Sequence, residues 1–170
     1  MTLPDTLPFP FFSFDTSAFI NGQRDLFKPK TFGALWDEIA RMIQAGTVLA
    51  VDEVKRELRR KDDDVARWAR SQRGLFVPLA HDIQQATRDV LAACPRLMAQ
   101  HGASRNSADP FVVGLALARG GTVVTQETPA SSPRRPRVPD ACVAVGVPWR
   151  TLPEFVDEQH WRVTVNEEAK

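Results

Sequence analysis

The stretch FPFFSFDTSAFI, residues 9–20, begins with four phenylalanines in six residues and then turns polar at Asp15, Thr16 and Ser17. An apolar run of this kind predicts a buried strand. Because the end of a buried strand delivers the next side chains to a surface cleft, Asp15 is either a turn former or part of a site.

The rest of the chain alternates apolar runs with amphipathic segments. Strands are predicted at TVLAV, 47–51, and at TVVTQE, 122–127, with a further apolar edge at VPW, 147–149. Helices are predicted at 31–45, 52–61, 65–69, 80–101, 106–121, 140–145 and from Pro153 onward. Because Pro95 interrupts the 80–101 segment, that segment predicts a helical hairpin.

This alternation predicts an α/β fold, an α/β/α sandwich with a mostly parallel central sheet and the hairpin as an insertion. We expect a single domain over residues 1–170, with a flexible lead at 1–8 and an exposed loop, rich in proline and arginine, at 128–139. Ligands bind at the carboxyl ends of the strands in such sheets, which places Asp15 and Glu127 at the same edge.

Composition limits the classes of function. Lys plus Arg (22) and Asp plus Glu (21) give a net charge of +1, so any nucleic-acid site must be a local patch. Cys94 and Cys142 lie outside any CxxC or Cys/His cluster, which argues against a disulfide framework and a structural zinc site. Without a signal sequence or a membrane-spanning run, we expect a cytoplasmic protein with no membrane partner.

Four acidic residues stand at positions that one sheet edge could bring together. Asp15 and Glu127 follow predicted strands. Glu57 lies on the helix after the second strand, and Asp109 opens a later helix. Each alone has a structural explanation. Asp15 could form an Asx turn, and Glu127 could be an ordinary loop residue. Glu57 could share a solvated helix face with Glu53, and Asp109 could cap its helix. Together they would supply several hard oxygen ligands, which implies Mg²⁺ or Mn²⁺.

Three blocks in this order resemble the PIN-domain nucleases: FDTSAFI, the V-x-x-E-L block at 54–58, and ADPFVVGLALARGGTVVTQE. The resemblance extends over residues 11–155. It is greatest to the larger PIN-like branch related to toxin–antitoxin ribonucleases, in which a VPDAC-type segment follows, here at 138–142. It implies metal-dependent cleavage of RNA and, in bacterial members, frequent service as the toxin of a toxin–antitoxin pair. A protein antitoxin would be a partner, and dimerisation is common in the family.

The resemblance assigns the acidic residues one at a time. Asp15, Glu57 and Asp109 match the first three acids of the family, which act as catalytic and metal-binding groups. Glu127 would be the fourth, although the family has an aspartate there, and the extra methylene shifts the carboxylate.

Three further polar residues would support the acids. Ser17 and Thr125 match hydroxyls that accompany the first and last acids of the family. Asp140 is expected either to supplement the metal ligands or to cap the short helix that it begins, and capping is the favoured role.

Affinity for RNA would come from phosphate contacts made by two groups of cations, one on the Glu57 helix and one in the proline loop. The alternatives are simple solvation of the helix and a loop without function. The cations are Lys55, Arg56, Arg59, Arg60 and Lys61 on the helix, and Arg134, Arg135 and Arg137 in the loop.

Other classes of protein fit the sequence less well. The histidines, His81, His101 and His160, lie outside the blocks above, so a ribonuclease that uses paired histidines is not expected. Aspartate-nucleophile phosphatases need a second acid two residues after the first, where this chain has Ser17, and no GxGxxG motif follows a strand. The remaining alternative is a non-catalytic PIN-like domain that binds RNA or a protein.

Overall fold

The computed structural model describes residues 10–99 and 108–162, so the predicted lead at 1–8 and His101 lie outside the described residues. The strands are β1 (Phe12–Phe14), β2 (Val48–Val51), β3 (Phe76–Val77), β4 (Thr122–Val124) and β5 (Trp149–Arg150). The helices are α1 (Thr16–Asn21), α2 (Pro29–Gln44), α3 (Asp52–Lys61), α4 (Asp63–Ser71), α5 (His81–Ala93), α6 (Arg96–Ala99), α7 (Asp109–Arg119), α8 (Val138–Val145) and α9 (Leu152–Glu158). A π-helical turn, Gly22–Leu26, follows α1.

The strands form one sheet in the order β3-β2-β1-β4-β5, and every neighbouring pair is parallel. Phe12 pairs with Val48 on one side and with Thr122 on the other, which places β1 at the centre. Helices flank the sheet, so the predicted α/β/α sandwich is confirmed. From β1 the chain continues to β2 and β3 on one side of the sheet, and from β4 it continues to β5 on the other side. The boundary between β1 and β4 is therefore the switch point at which open α/β sheets bind ligands.

The alternation of residues in β1 explains why this strand lies at the centre. Phe12 and Phe14 contact Phe155 of α9 edge to face, with ring centroids 4.8 and 5.1 Å apart. Ser13 lies between them and points to the opposite face, since successive side chains alternate across a strand. There its hydroxyl donates to the Val112 carbonyl of α7, 2.8 Å away. Aromatic packing on one face and a buried hydrogen bond on the other fix β1 between two helical layers.

The structure confirms most predicted elements and moves some boundaries. The helices predicted at 31–45 and 52–61 correspond to α2 and α3, and Asp62 caps α4 by accepting hydrogen bonds from the Asp64 and Val65 N–H groups. The segment predicted at 80–101 divides at Pro95 into α5 and the single turn α6, and α5 packs mainly against α7.

The proline loop is shorter than predicted. Its predicted end at residue 139 is wrong, because α8 begins at Val138, and Pro136 and Pro139 are buried. A proline in the first turn of a helix loses no hydrogen bond, so Pro139 begins a helix here instead of prolonging the loop. In the part of the chain that the structure describes, no helix is long and apolar enough to span a membrane.

A close contact between α5 and α7 provides a test of the packing. A Cβ at Gly114 would lie 2.2 Å from Thr87 Oγ1 and 3.1 Å from the Thr87 backbone nitrogen. We expect Gly114→Ala to lower the free energy of unfolding, measured by urea denaturation, by about 1–3 kcal/mol. Gly33→Ala is the control, since a Cβ there would meet nothing within 4 Å apart from its chain neighbours and the adjacent backbone of α2. It should stabilise α2 by about 0.5–1 kcal/mol. Equal stability of the two variants would contradict this packing.

Candidate active site at the carboxyl edge of the sheet

The four predicted acids line one cavity of about 240 Å³. Asp15 directly follows β1 and Glu127 lies three residues beyond β4, so both come from the switch point. Glu57 projects from α3, and Asp109 is the first residue of α7. The cavity is therefore assembled from elements that are remote in sequence, as the sequence predicted.

Asp15 is held by hydrogen bonds to both of its carboxylate oxygens. One oxygen accepts from the Thr16 N–H at 2.7 Å, and the other accepts from the hydroxyls of Ser17 (2.6 Å) and Thr125 (2.9 Å). The first bond caps α1, so Asp15 is at once the predicted turn former and a pocket residue. Ser17 supports Asp15, as the sequence predicted. Thr125, which the sequence placed with the last acid, donates to Asp15 and also accepts from the Glu127 N–H at 3.1 Å.

Glu57 is almost fully buried, with 1% of its surface exposed, so the interpretation as a solvated helix face is wrong for this residue. Its Oε2 accepts from the Thr16 hydroxyl at 2.7 Å, and its Oε1 accepts from the Ala108 N–H at 3.1 Å. The Lys61 ammonium lies 3.8 Å from Oε2. Glu57 thus joins α1 and α3 to the start of α7, whereas Glu53 pairs with Arg56 outside the cavity.

Thr16 is a residue whose role was missed by sequence reasoning. It forms hydrogen bonds with both Asp15 and Glu57, through its N–H and its hydroxyl respectively. The sequence pattern identified Thr16 only as part of the polar stretch that follows the first predicted strand. The signal that could have identified it is its position immediately after the first acid, at the start of a helix directed toward the pocket.

Asp109 occupies an unfavourable position for a charge. It is buried, and its pKa is raised from 3.8 to about 9, first by burial and then by the charges of Asp15, Glu127 and Glu57. The charge of Lys61 acts in the opposite direction. The cap of α7 is Ala108, not Asp109, so the predicted capping role is not observed. A protonated Asp109 relieves repulsion among the acids at neutral pH.

Glu127 has two roles in the fold. Its Oε2 accepts from the Val138 N–H at 2.9 Å and so stabilises the first turn of α8. Burial and the charge of Asp15 raise its pKa, while that N–H group and the charges of Arg137 and Lys61 act to lower it. Glu127 therefore lines the cavity and also ties α8 to the end of β4.

Asp140 belongs to a different part of the surface. One of its carboxylate oxygens accepts from the Arg137 N–H at 2.8 Å and from the Ala130 N–H at 2.9 Å, which caps α8 and closes the proline loop. It lines a separate cavity of about 530 Å³. The favoured prediction of a capping role is confirmed.

The predicted RNA-binding arginines are exposed, and none of them lines the cavity. Lys61, the last residue of α3, is the one positively charged side chain among the described residues that line it. The sequence placed Lys61 among several phosphate-binding cations and gave no reason to separate it from them. The arginines are Arg56, Arg59 and Arg60 on α3, and Arg134 and Arg135 in the proline loop.

The four acids of the cavity offer carboxylate oxygens, which are ligands that hard divalent cations such as Mg²⁺ bind. Within residues 10–99 and 108–162, however, no three His, Cys, Asp or Glu side chains are placed closely enough to hold an ion. Asp15, Glu57 and Glu127 direct oxygens at N–H and O–H donors instead. Binding an ion would require some of these oxygens to turn toward a common centre.

A comparison with protein families matches residues 12–163 to a family described as a domain of unknown function, DUF4411. The chain belongs to the DUF4411 family. The matched region of this DUF4411 chain contains every strand of the sheet and all four pocket acids. No match was found among curated proteins.

The raised pKa of Asp109 predicts how the stability of the metal-free DUF4411 domain depends on pH. The unfolded carboxyl ionises near its ordinary pKa of 3.8, whereas the folded one retains its proton up to about 9. Between these values folding takes up a proton, so the free energy of unfolding falls as pH rises, by at most about 1.4 kcal/mol per pH unit.

Urea denaturation in EDTA from pH 5 to pH 9 measures this slope. Asp109→Asn should flatten it, because the amide mimics the protonated carboxyl and does not titrate. Parent and variant curves that run parallel over this range would contradict the assignment.

Proposed function

We propose that this protein is a divalent-metal-dependent ribonuclease that hydrolyses RNA phosphodiester bonds. The observation that carries the proposal is the gathering of Asp15, Glu57, Asp109 and Glu127 in one cavity at the switch point of the sheet. Mutual repulsion and burial make such a cluster costly to the fold, and the hydrogen bonds of Asp15, Glu57 and Glu127 to neighbouring elements do not account for Asp109. The resemblance to PIN-domain nucleases adds the reaction class.

The residues of the cavity would cooperate in binding Mg²⁺ or Mn²⁺. A bound divalent ion supplies a Lewis acid, which activates water and neutralises charge on the phosphate. Asp15 and Glu57 are fixed by buried hydrogen bonds, so they present negative charge at a defined place. Asp109, which is protonated at neutral pH in the metal-free protein, would release its proton on binding a cation.

RNA is the proposed substrate because exposed arginines accompany two of the acids. Arg59 and Arg60 are exposed on α3, the helix that carries Glu57. Arg134 and Arg135 are exposed in the loop that follows Glu127. Exposed cations on the segments that carry these acids would contact the phosphate backbone of a bound RNA.

From the resemblance to PIN-domain nucleases we further propose that the protein is a cytoplasmic toxin of a toxin–antitoxin pair, with a protein antitoxin as partner and a dimer as its assembly. A short gene for a DNA-binding antitoxin should lie beside its own gene. Expression should arrest bacterial growth, and Asp15→Asn should relieve the arrest. Equal arrest by the parent and by Asp15→Asn would contradict a nuclease toxin.

A second candidate is a non-catalytic domain that binds RNA or a protein. It is supported by the hydrogen bond from the Val138 N–H to Glu127, which engages the fourth acid in holding α8. It is also supported by the separation of the acidic groups, of which no three within the described residues converge on one point. An assay of RNA cleavage distinguishes this candidate from the nuclease.

The nuclease proposal predicts the effect of removing one carboxylate. With Mg²⁺ or Mn²⁺, Asp15→Asn should lower the rate of cleavage of a fluorescein-labelled single-stranded RNA by at least about a hundredfold, because a fixed anionic group is lost. Asp37→Asn, on the exposed face of α2, removes the same charge and should cleave at the parent rate.

Circular dichroism of each variant verifies that the fold is retained. If the folded parent cleaves no RNA with either metal, the nuclease proposal is wrong and the binding domain is favoured.

A further inference from the structure

Lys61 occupies a special place among the cations of this protein. It lies one helical turn after Glu57 on α3, and its Nζ is 3.8 Å from Glu57 Oε2. The side chain of Lys61 is 41% exposed, whereas that of Glu57 is 1% exposed. The ammonium group therefore stands at the mouth of the acidic cavity, with the buried carboxylate behind it.

The charge of Lys61 acts on more than its nearest neighbour. It favours the ionised forms of both Asp109 and Glu127, and so lowers the pKa of each against the effect of burial. Arg137 assists at Glu127. Lys61 is thus coupled electrostatically to acids from three separate elements of the fold.

A divalent ion that enters the same cavity would meet the same negative charge. Two cations held close together repel each other, so an ion would weaken the attraction between Lys61 and Glu57. The side chain has a flexible four-carbon stem and is partly exposed, so it can turn toward solvent without unfolding α3. A phosphate held at the mouth of the cavity would offer it a new anionic partner.

We propose that Lys61 balances the charge of the acidic cavity in the metal-free protein and contacts the substrate phosphate when metal is bound. This inference rests on the proposed nuclease function. Lys61 would therefore weaken the binding of the metal and strengthen the binding of the substrate. Loss of a residue that only supported the fold would not change these two affinities in opposite directions.

The test is Lys61→Met, with Lys61→Arg as the variant that keeps the charge. Isothermal titration of each metal-free protein with Mn²⁺ measures the first effect, and we expect Lys61→Met to bind Mn²⁺ about fivefold more tightly than the parent. At saturating Mn²⁺, the same variant should raise KM for a fluorescein-labelled single-stranded RNA by about tenfold. Lys61→Arg should stay near the parent in both measurements.

Arg41→Met is the matched control. It removes one positive charge from the exposed surface of α2, where Arg41 pairs with Glu38, and it should change neither constant. Thermal melting of each metal-free variant establishes that the fold is intact.

The outcomes separate this inference from the proposed function. If the parent binds Mn²⁺ and Lys61→Met binds it no more tightly, the charge-balancing role is overturned while the metal site stands. If KM is unchanged in Lys61→Met, the phosphate contact is overturned. If the parent binds no Mn²⁺ by titration, both the metal site and the role of Lys61 fall.

Discussion

The structure depends on holding like charges together in a largely buried cavity. Burial and repulsion both oppose this arrangement, and the fold offsets them with donors placed against three of the four acids. Asp15 receives an N–H and two hydroxyls, Glu57 receives a hydroxyl, an N–H and an ammonium group, and Glu127 receives the first N–H of α8. Asp109 is accommodated differently, by retaining its proton. The donors come from neighbouring elements, so the cavity and the fold support each other.

The packing of the central strand makes this cavity possible. The phenylalanines of β1 and α9 bury one face of the sheet, and the bond from Ser13 to Val112 fixes α7 on the other. Because α7 is fixed, its first residue, Asp109, lies beside the carboxyl end of β1. Thr16 then connects the acid that follows β1 to the acid of α3, because it forms hydrogen bonds with both.

Sequence patterns were sufficient for three strands of the sheet and for the gathering of the four acids at one edge. Apolar runs identify β1, β2 and β4, and an acid or hydroxyl after such a run must meet its neighbours at the carboxyl edge. Two-residue strands such as β3 have too few residues to show a period, and β3 was not predicted. The Thr16–Glu57 bond and the place of Lys61 depend on how helices far apart in sequence pack, which local patterns do not encode. Pro139 was misread because proline is common both in loops and in the first turn of a helix.

The proposed site for a divalent ion has Asp15, Glu57 and Asp109 as its core. The most direct measurement is the anomalous diffraction of a crystal soaked in Mn²⁺, collected near the manganese absorption edge. We expect a peak inside the cavity, within about 2.5 Å of oxygens from at least two of these three residues. A fully soaked crystal whose manganese peaks all lie outside the cavity would contradict a metal site there.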